Sequence, residues 1–506
     1  MRSKFWIRGA CATVVATALG VNAGAESNWP QWRGPLGNGI SPDGNPPVSW
    51  DENTNIAWKV AIPGQGHGTP AIWGDKIFVL AAVPTGNTVA PEPGQQGSGG
   101  PGGPGGRPAF GGRPGGDVGP GGRPGFGDRP GGQGGPQGER PGFGQGPGGE
   151  RPPRGPGGRG GFGGRGGRGG FGGGAPTEEF AYTTMCLDRE TGETLWSVAG
   201  RTQVPSQSVQ PSNRYSAASA LTDGERVYAY FGDSGLYCYD MEGNELWSQD
   251  IPEASVTFGD GSSPALHDGR LVLIRDTNDA SFIVTYDAKT GTELWREPRD
   301  EGSGWSTPSF LERDGKIQVL TPGANAVRAY DLDSGDLLWS CSGLGSNPIP
   351  KILFDDEAVY AMSGHRNPKA MAIELGGRGD LSSSAVRWEV TRGTSYVPSG
   401  LLYDDRLFFL QRTSGIATLL DPETGDAFYE QERIEGVDGV YASPIGVNGH
   451  IYVASQNGTT AVLESSDSLK VVSVNELDDG FDASPVVVGD ELYLRGRANL
   501  YKIASQ

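Results

Sequence analysis

Two sets of residues have types and spacing that could do chemistry. The first is the run RDTNDAS, in which Asp276, Asn278 and Asp279 place oxygen ligands at short spacing, as a Ca²⁺ loop would. It lacks the full ligand pattern of an EF-hand and also reads as an Asx-rich turn. The second set recurs along the chain. His67, Tyr215, Gly261, Trp305, Asn347, Ser395, Tyr441 and Asp482 each stand three residues ahead of a proline or, at Ala218, of its equivalent. Arg214 and Tyr396 are neighbours of two of them. Flat rings and a cation suit a peptide, a sugar or an aromatic ligand; the same rings could also simply plug a tapering channel. The four histidines, His67, His267, His365 and His450, are scattered, and no CxxC or His/Cys cluster suggests zinc. No GxSxG, HExxH, P-loop or paired-carboxylate signature appears in a supporting context.

The elements that must position these residues repeat. The phrases TGETLW, EGNELW, TGTELW and SGDLLW end at Trp196, Trp247, Trp295 and Trp339, with weaker copies at Trp388, Tyr429 and about Val472, and one far upstream at Trp58. From residue 261 one unit reads SSPAL, a turn at His267-Asp268-Gly269, RLVLIR, SFIVTYD, a Thr290-Gly291 turn and TELWRE. That is a four-stranded antiparallel meander, the form of a propeller blade. A small residue followed by proline precedes the first strand of most units, and from Pro264 onward these prolines lie 41 to 48 residues apart. Eight units are counted. The last one stops at ANLYKIA without a fourth strand, and the orphan NIAWKVAI around Trp58 supplies it. The predicted fold is therefore all-β: an eight-bladed propeller of four-stranded antiparallel blades, closed by the N-terminal strand pairing into the last blade.

Residues 1–25 read as a signal peptide. Arg2, Lys4 and Arg8 precede an apolar run from Ala10 to Leu19 and the small residues Ala23-Gly24-Ala25. The expectation is export to the periplasm or beyond, with no transmembrane helix in the mature chain and a monomeric protein. Residues 26–83 hold the closing strand and the start of blade one, and 177–506 the remainder of the ring. Between them, 84–176 is a Gly/Pro/Arg-rich insertion, expected to be disordered and rooted on the face of the blade-to-blade connections. It is read as a spacer or weak interaction arm. The formal charge is −19 although 101–175 holds ten Arg against two Asp and two Glu, so the remaining body is more acidic than the whole. That argues against nucleic-acid binding by the folded part. Cys186, Cys238 and Cys341 are an odd set after the signal peptide and read as buried thiols.

The phrases VTYDAKTGTELW, VRAYDLDSGDLLW and TMCLDRETGETLW resemble the pyrroloquinoline-quinone (PQQ)-like repeat with its AxDxxTGxxxW core. The N-terminal NWPQWRGPLGNGIS and NIAWKVAIPGQGHGTPAIWGDKIFV resemble exported PQQ-like propeller proteins of planctomycete-type bacteria. The resemblance implies the propeller fold but not one function, because the superfamily holds quinoprotein dehydrogenases and BamB-like assembly scaffolds alike. The resembling enzymes hold PQQ with Ca²⁺ between a tryptophan and a vicinal Cys–Cys disulfide, and this sequence has no adjacent cysteines. No cofactor is therefore expected. The reading is a non-enzymatic scaffold taking an envelope protein, peptide or glycan at the propeller face. A PQQ-dependent oxidoreductase and an adhesive protein acting through the Gly-Arg-Phe arm are the alternatives.

Overall fold

A computed structural model describes residues 28–89 and 176–505. The signal segment 1–25 and most of the insertion lie outside them. The described residues form eight sheets, each built on four antiparallel strands, with one short 3₁₀ turn at Gly232–Ser234. Blade 1 comprises Ala71–Trp73, Lys76–Thr88, Glu178–Asp188 and Thr194–Gln203. Blades 2 to 7 follow in order, opening at Leu221, Ala265, Ser309, Leu353, Leu401 and Ile445. Blade 8 joins Val486–Val488, Glu491–Arg495 and Asn499–Ile503 to the N-terminal strand Ile56–Ala61. Val60 lies opposite Leu500 and Ile56 opposite Ile503, so the expected closure between the two ends of the chain is present. One boundary moves: residues 84–88 belong to a strand, with Pro84 opposite Phe180 and Thr88 opposite Glu178. Blade 4 gains a fifth, two-residue strand, Gly379–Asp380, donated by the long turn of blade 5.

The turn-and-tryptophan phrase acts between blades. Each tryptophan lies against the turn glycine of the next blade and donates its indole N–H to a carbonyl there. Trp58 bonds Arg189 O, Trp196 Met241 O, Trp247 Ala288 O, Trp295 Leu332 O and Trp388 Pro422 O, at 2.8 to 3.1 Å. The glycine is required twice over. At Gly291 φ is +72°, and a Cβ would stand 2.6 Å from Trp247 Cδ2. Trp339 departs from the pattern because blade 5 has no Thr-Gly turn. Its indole bonds Gln318 Oε1 within its own blade, and Leu381 and Ala385 cover it.

Across the face opposite the blade connections runs the segment 28–48. Trp29 exchanges backbone hydrogen bonds with Ile72, and Pro30 O accepts from Thr222 N. The fully buried Arg33 bonds the carbonyls of Pro444 and Gly400 at 2.6 Å. This strap therefore touches blades 1, 2, 6 and 7. Cys186, Cys238 and Cys341 are free and buried in three separate blades. Burial pushes the first two thiols up to about 12 and the third to about 11.

Two outcomes follow. Gly291→Ala lowers stability by about 1–3 kcal/mol in denaturant titration, through strain and the displaced Trp247 ring. Cys186, Cys238 and Cys341 do not react with a thiol reagent in the folded protein at pH 8, and all three react in denaturant.

Candidate functional site

The first strand of every blade starts near the face of the blade connections and runs down the central channel. The residues two and four positions ahead of each first strand, in its extended lead-in, stand at the channel. A hydrogen-bond chain fixes their register. Thr69 N donates to Ser219 Oγ, Ser219 N to Ser263 Oγ and Ser263 N to Thr307 Oγ1, at 2.9 to 3.0 Å. The chain resumes with Lys351 N to Ser399 Oγ, Ser399 N to Ser443 Oγ, Ser443 N to Ser484 Oγ and Ser484 N back to Thr69 Oγ1, at 2.9 to 3.2 Å. Seven hydroxyls thus link blade to blade around the throat. Lys351 takes the eighth place, and the chain breaks between Thr307 and Lys351.

This register corrects the ring expected from the prolines. Two residues ahead of the throat positions stand His67, Ala217, Gly261, Trp305, Ile349, Val397, Tyr441 and Asp482, and all eight line one cavity of about 440 Å³. In blades 2, 5 and 6 the proline-based alignment was two residues early. Tyr215 sits behind the wall, tilted against Phe180 with ring centroids 5.0 Å apart, and Arg214 shares that smaller neighbouring space. Asn347 does not line the cavity; its side chain reaches the Tyr396 hydroxyl. Ser395 is fully buried, with Oγ bonded to Pro398 O. Tyr396 does line the cavity, stacked on His365 at 5.2 Å. Sequence reasoning missed Phe258, Arg412 and Trp32, which also line it. Trp32 comes from the strap beneath and forms the floor, its indole N–H bonded to Ser484 Oγ at 3.3 Å.

Strain gathers at this cavity. Outside Asn, Asp and Gly, the described residues with positive φ are Arg33, Phe258, Arg412 and Gln431. Phe258, at +75°, packs in a tilted contact against Trp305, whose indole bonds Gly259 O at 2.8 Å. Arg412, at +55°, is held by Thr394 O on its N–H and by Tyr396 N on its carbonyl. A bulky side chain in the left-handed region costs roughly 1–3 kcal/mol and marks sites where placement of the side chain matters.

The charged groups on the other side of the cavity are engaged. Arg214 Nε donates to His67 Nε2 at 3.2 Å, so that nitrogen is an acceptor. Asp482 stands 3.5 Å from the same atom but is bonded by Arg497 Nε at 2.8 Å and Gln456 Nε2 at 2.6 Å. Burial, with Arg214, Arg495 and Arg497 nearby, outweighs Asp482 and brings the His67 pKa down to about 4. His67 is therefore neutral at pH 7 and a weak base. The Asp276 cluster lies apart from the cavity and is also engaged. Asp276 forms a buried two-point ion pair with Arg299 at 2.8 and 3.1 Å. Asn278 bonds Thr257 and Ser303, and Asp279 accepts from Ser255 N. Among the described residues no three His, Cys, Asp or Glu side chains converge as a metal site would require.

The His67 shift has a testable sign. Between pH 6.5 and 4 the unfolded chain binds a proton at this residue that the folded chain does not. Folding stability falls as pH drops through that window, and His67→Asn removes part of the slope in denaturant titrations at pH 7, 5.5 and 4.5.

Comparison with known proteins agrees with this geometry. The family described as outer membrane protein assembly factor BamB matches residues 183–426. BamB of Burkholderia pseudomallei is 22% identical over 317 residues, 60% of this chain and 75% of the relative. Tetrathionate hydrolase of Acidithiobacillus ferrooxidans is 35% identical over 119 residues, 21% of this chain; the match spans only 23% of that enzyme's length. The crystal structure of quinohemoprotein alcohol dehydrogenase from Comamonas testosteroni superposes with a TM-score of 0.55 at 11% identity, over 95% of this chain and 81% of that one, a likeness of fold. With eight closed blades, the turn-and-tryptophan docking at their edges and the BamB-type match over 183–426, the chain is an eight-bladed β-propeller built of PQQ-like repeats.

Proposed function

We propose that the protein is an exported binding scaffold that takes its ligand in the mouth of the central channel. The carrying observation is the pairing of strained and stacked rings with engaged ionisable groups. Phe258 and Trp305 form one wall and Tyr396 with His365 another, while His67 and Asp482 spend their polar atoms on each other's neighbours. A wall of rings recognises, whereas proton transfer needs a base with a free lone pair and a pKa near the working pH. The assembly role in the name of the BamB relative supports a scaffold in the envelope.

The residues do not fit Ca²⁺-assisted quinone chemistry. Among the residues lining the cavity the one carboxylate is Asp482, committed to Arg497 and Gln456. The other acidic candidate, Asp276, is closed by Arg299. The three free cysteines lie in three different blades. Titration with PQQ and Ca²⁺ gives no spectral change and no dye reduction with alcohols or aldose sugars; dye reduction contradicts the scaffold reading. On peptide and glycan arrays, Tyr441→Ala and Trp305→Ala lower capture at least tenfold while cooperative unfolding is retained. Undiminished capture by both variants would place binding elsewhere.

A further inference from the structure

The throat below the rings has unused donors. Each of the seven linking hydroxyls already accepts a backbone N–H from the blade before it, and Ser484 Oγ accepts the Trp32 indole as well. None of the seven donates to another described residue. A hydroxyl has one hydrogen to give, so seven O–H groups, all at least nine-tenths buried, remain available at the throat. Six of them line the cavity.

Lys351 fills the eighth place of the hydroxyl ring, but its side chain does not line the cavity and its ammonium lies 5.9 Å from the centre of the Trp32 ring. The Lys351 residue is 5% exposed, and burial with the neighbouring Arg33 brings its pKa down to about 7, so it is only partly charged at neutral pH. At the rim, the exposed Arg412 guanidinium is without an ion pair among the described residues, although backbone strain holds it over the cavity. The carboxylate that does line the cavity, Asp482, is neutralised by Arg497. Among the residues lining the cavity, Arg412 is the cation that no carboxylate pairs, in a chain of net charge −19.

Shape narrows the ligand further. The cavity opens at the mouth and has Trp32 as its floor, so a polymer enters end-on. Buried O–H donors, with the Arg412 cation at the rim, select a carboxylate end over an ammonium end. The rings above would then hold the last apolar side chains.

We propose that the channel captures the C-terminus of a polypeptide, its carboxylate at the hydroxyl throat and its last side chains between Phe258–Trp305 and Tyr396–His365. This rests on the mouth being the binding site, and it names the partner's chemistry.

The test uses arrayed random octapeptides with free C-termini beside the same sequences as C-terminal amides, followed by anisotropy titration of the best binders. Free acids ending in an aromatic or aliphatic residue bind at least tenfold tighter than their amides. Arg412→Gln reduces that ratio at least threefold, and the unfolding midpoint shows that the variant folds; Arg412 is exposed and held by its backbone, so the substitution does not disturb the wall. Equal binding of acids and amides, still lost in Tyr441→Ala, overturns carboxylate capture and leaves the mouth as the site. Capture of neutral glycans with no peptide binding overturns the polypeptide partner. No binding to either array overturns both readings.

Discussion

Everything at the axis of this molecule depends on one interaction: a backbone N–H at the inner edge of one blade donating to the hydroxyl of the next. Seven such bonds run around the throat, each worth about 0.5–1.5 kcal/mol. Their larger effect is geometric. They fix the height of each inner strand relative to its neighbour, and so decide which residues face the channel at each level. A hydroxyl suits this place because it can accept the N–H and still keep a hydrogen for the channel. An alanine would leave the N–H unbonded in a buried position.

The outer edge of the ring is held by a different device, the indole seated on the next blade's glycine. Because the inner and outer links are both made by short repeated phrases, the lead-in loops between blades are left to vary. That freedom places rings in blades 3, 4, 6 and 7, a neutral histidine in blade 1 and a carboxylate in blade 8. It also tolerates the left-handed backbone of Phe258, while Arg412, in the loop between the second and third strands of blade 6, is held by Thr394 O and Tyr396 N. The strap from Trp29 onward adds the floor, and Arg33 ties that floor to blades 6 and 7.

The periodic features were legible in the sequence. Turn glycines and tryptophans recur because every blade needs them, so the count of eight and the placement of Trp58 in the last blade could be read directly. The channel ring was legible only where proline follows the throat hydroxyl, as at Thr69, Ser263, Thr307, Ser443 and Ser484. In blades 5 and 6 the proline precedes Lys351 and Ser399, and in blade 2 it is missing, so proline spacing pointed to Asn347, Ser395 and Tyr215 instead of Ile349, Val397 and Ala217. Proline shapes the local backbone; the hydroxyl makes the link, and it is the better marker. Non-repeating contacts left no periodic trace. Nothing in WPQWRG announces that Trp32 lies under blade 8, and the pairing of Asp276 with Arg299, 23 residues apart, is invisible to a local reading of RDTNDAS, which offers only a Ca²⁺ loop or an Asx-rich turn.

Neutron diffraction from deuterium-exchanged crystals tests the central claim most directly, because it locates the hydroxyl hydrogens at the throat. The account predicts that Thr69, Ser219, Ser263, Thr307, Ser443 and Ser484 each receive an N–D from the preceding blade and point their own O–D into the channel. Hydroxyl deuterons directed into the wall, toward carbonyls of their own strands, would contradict it.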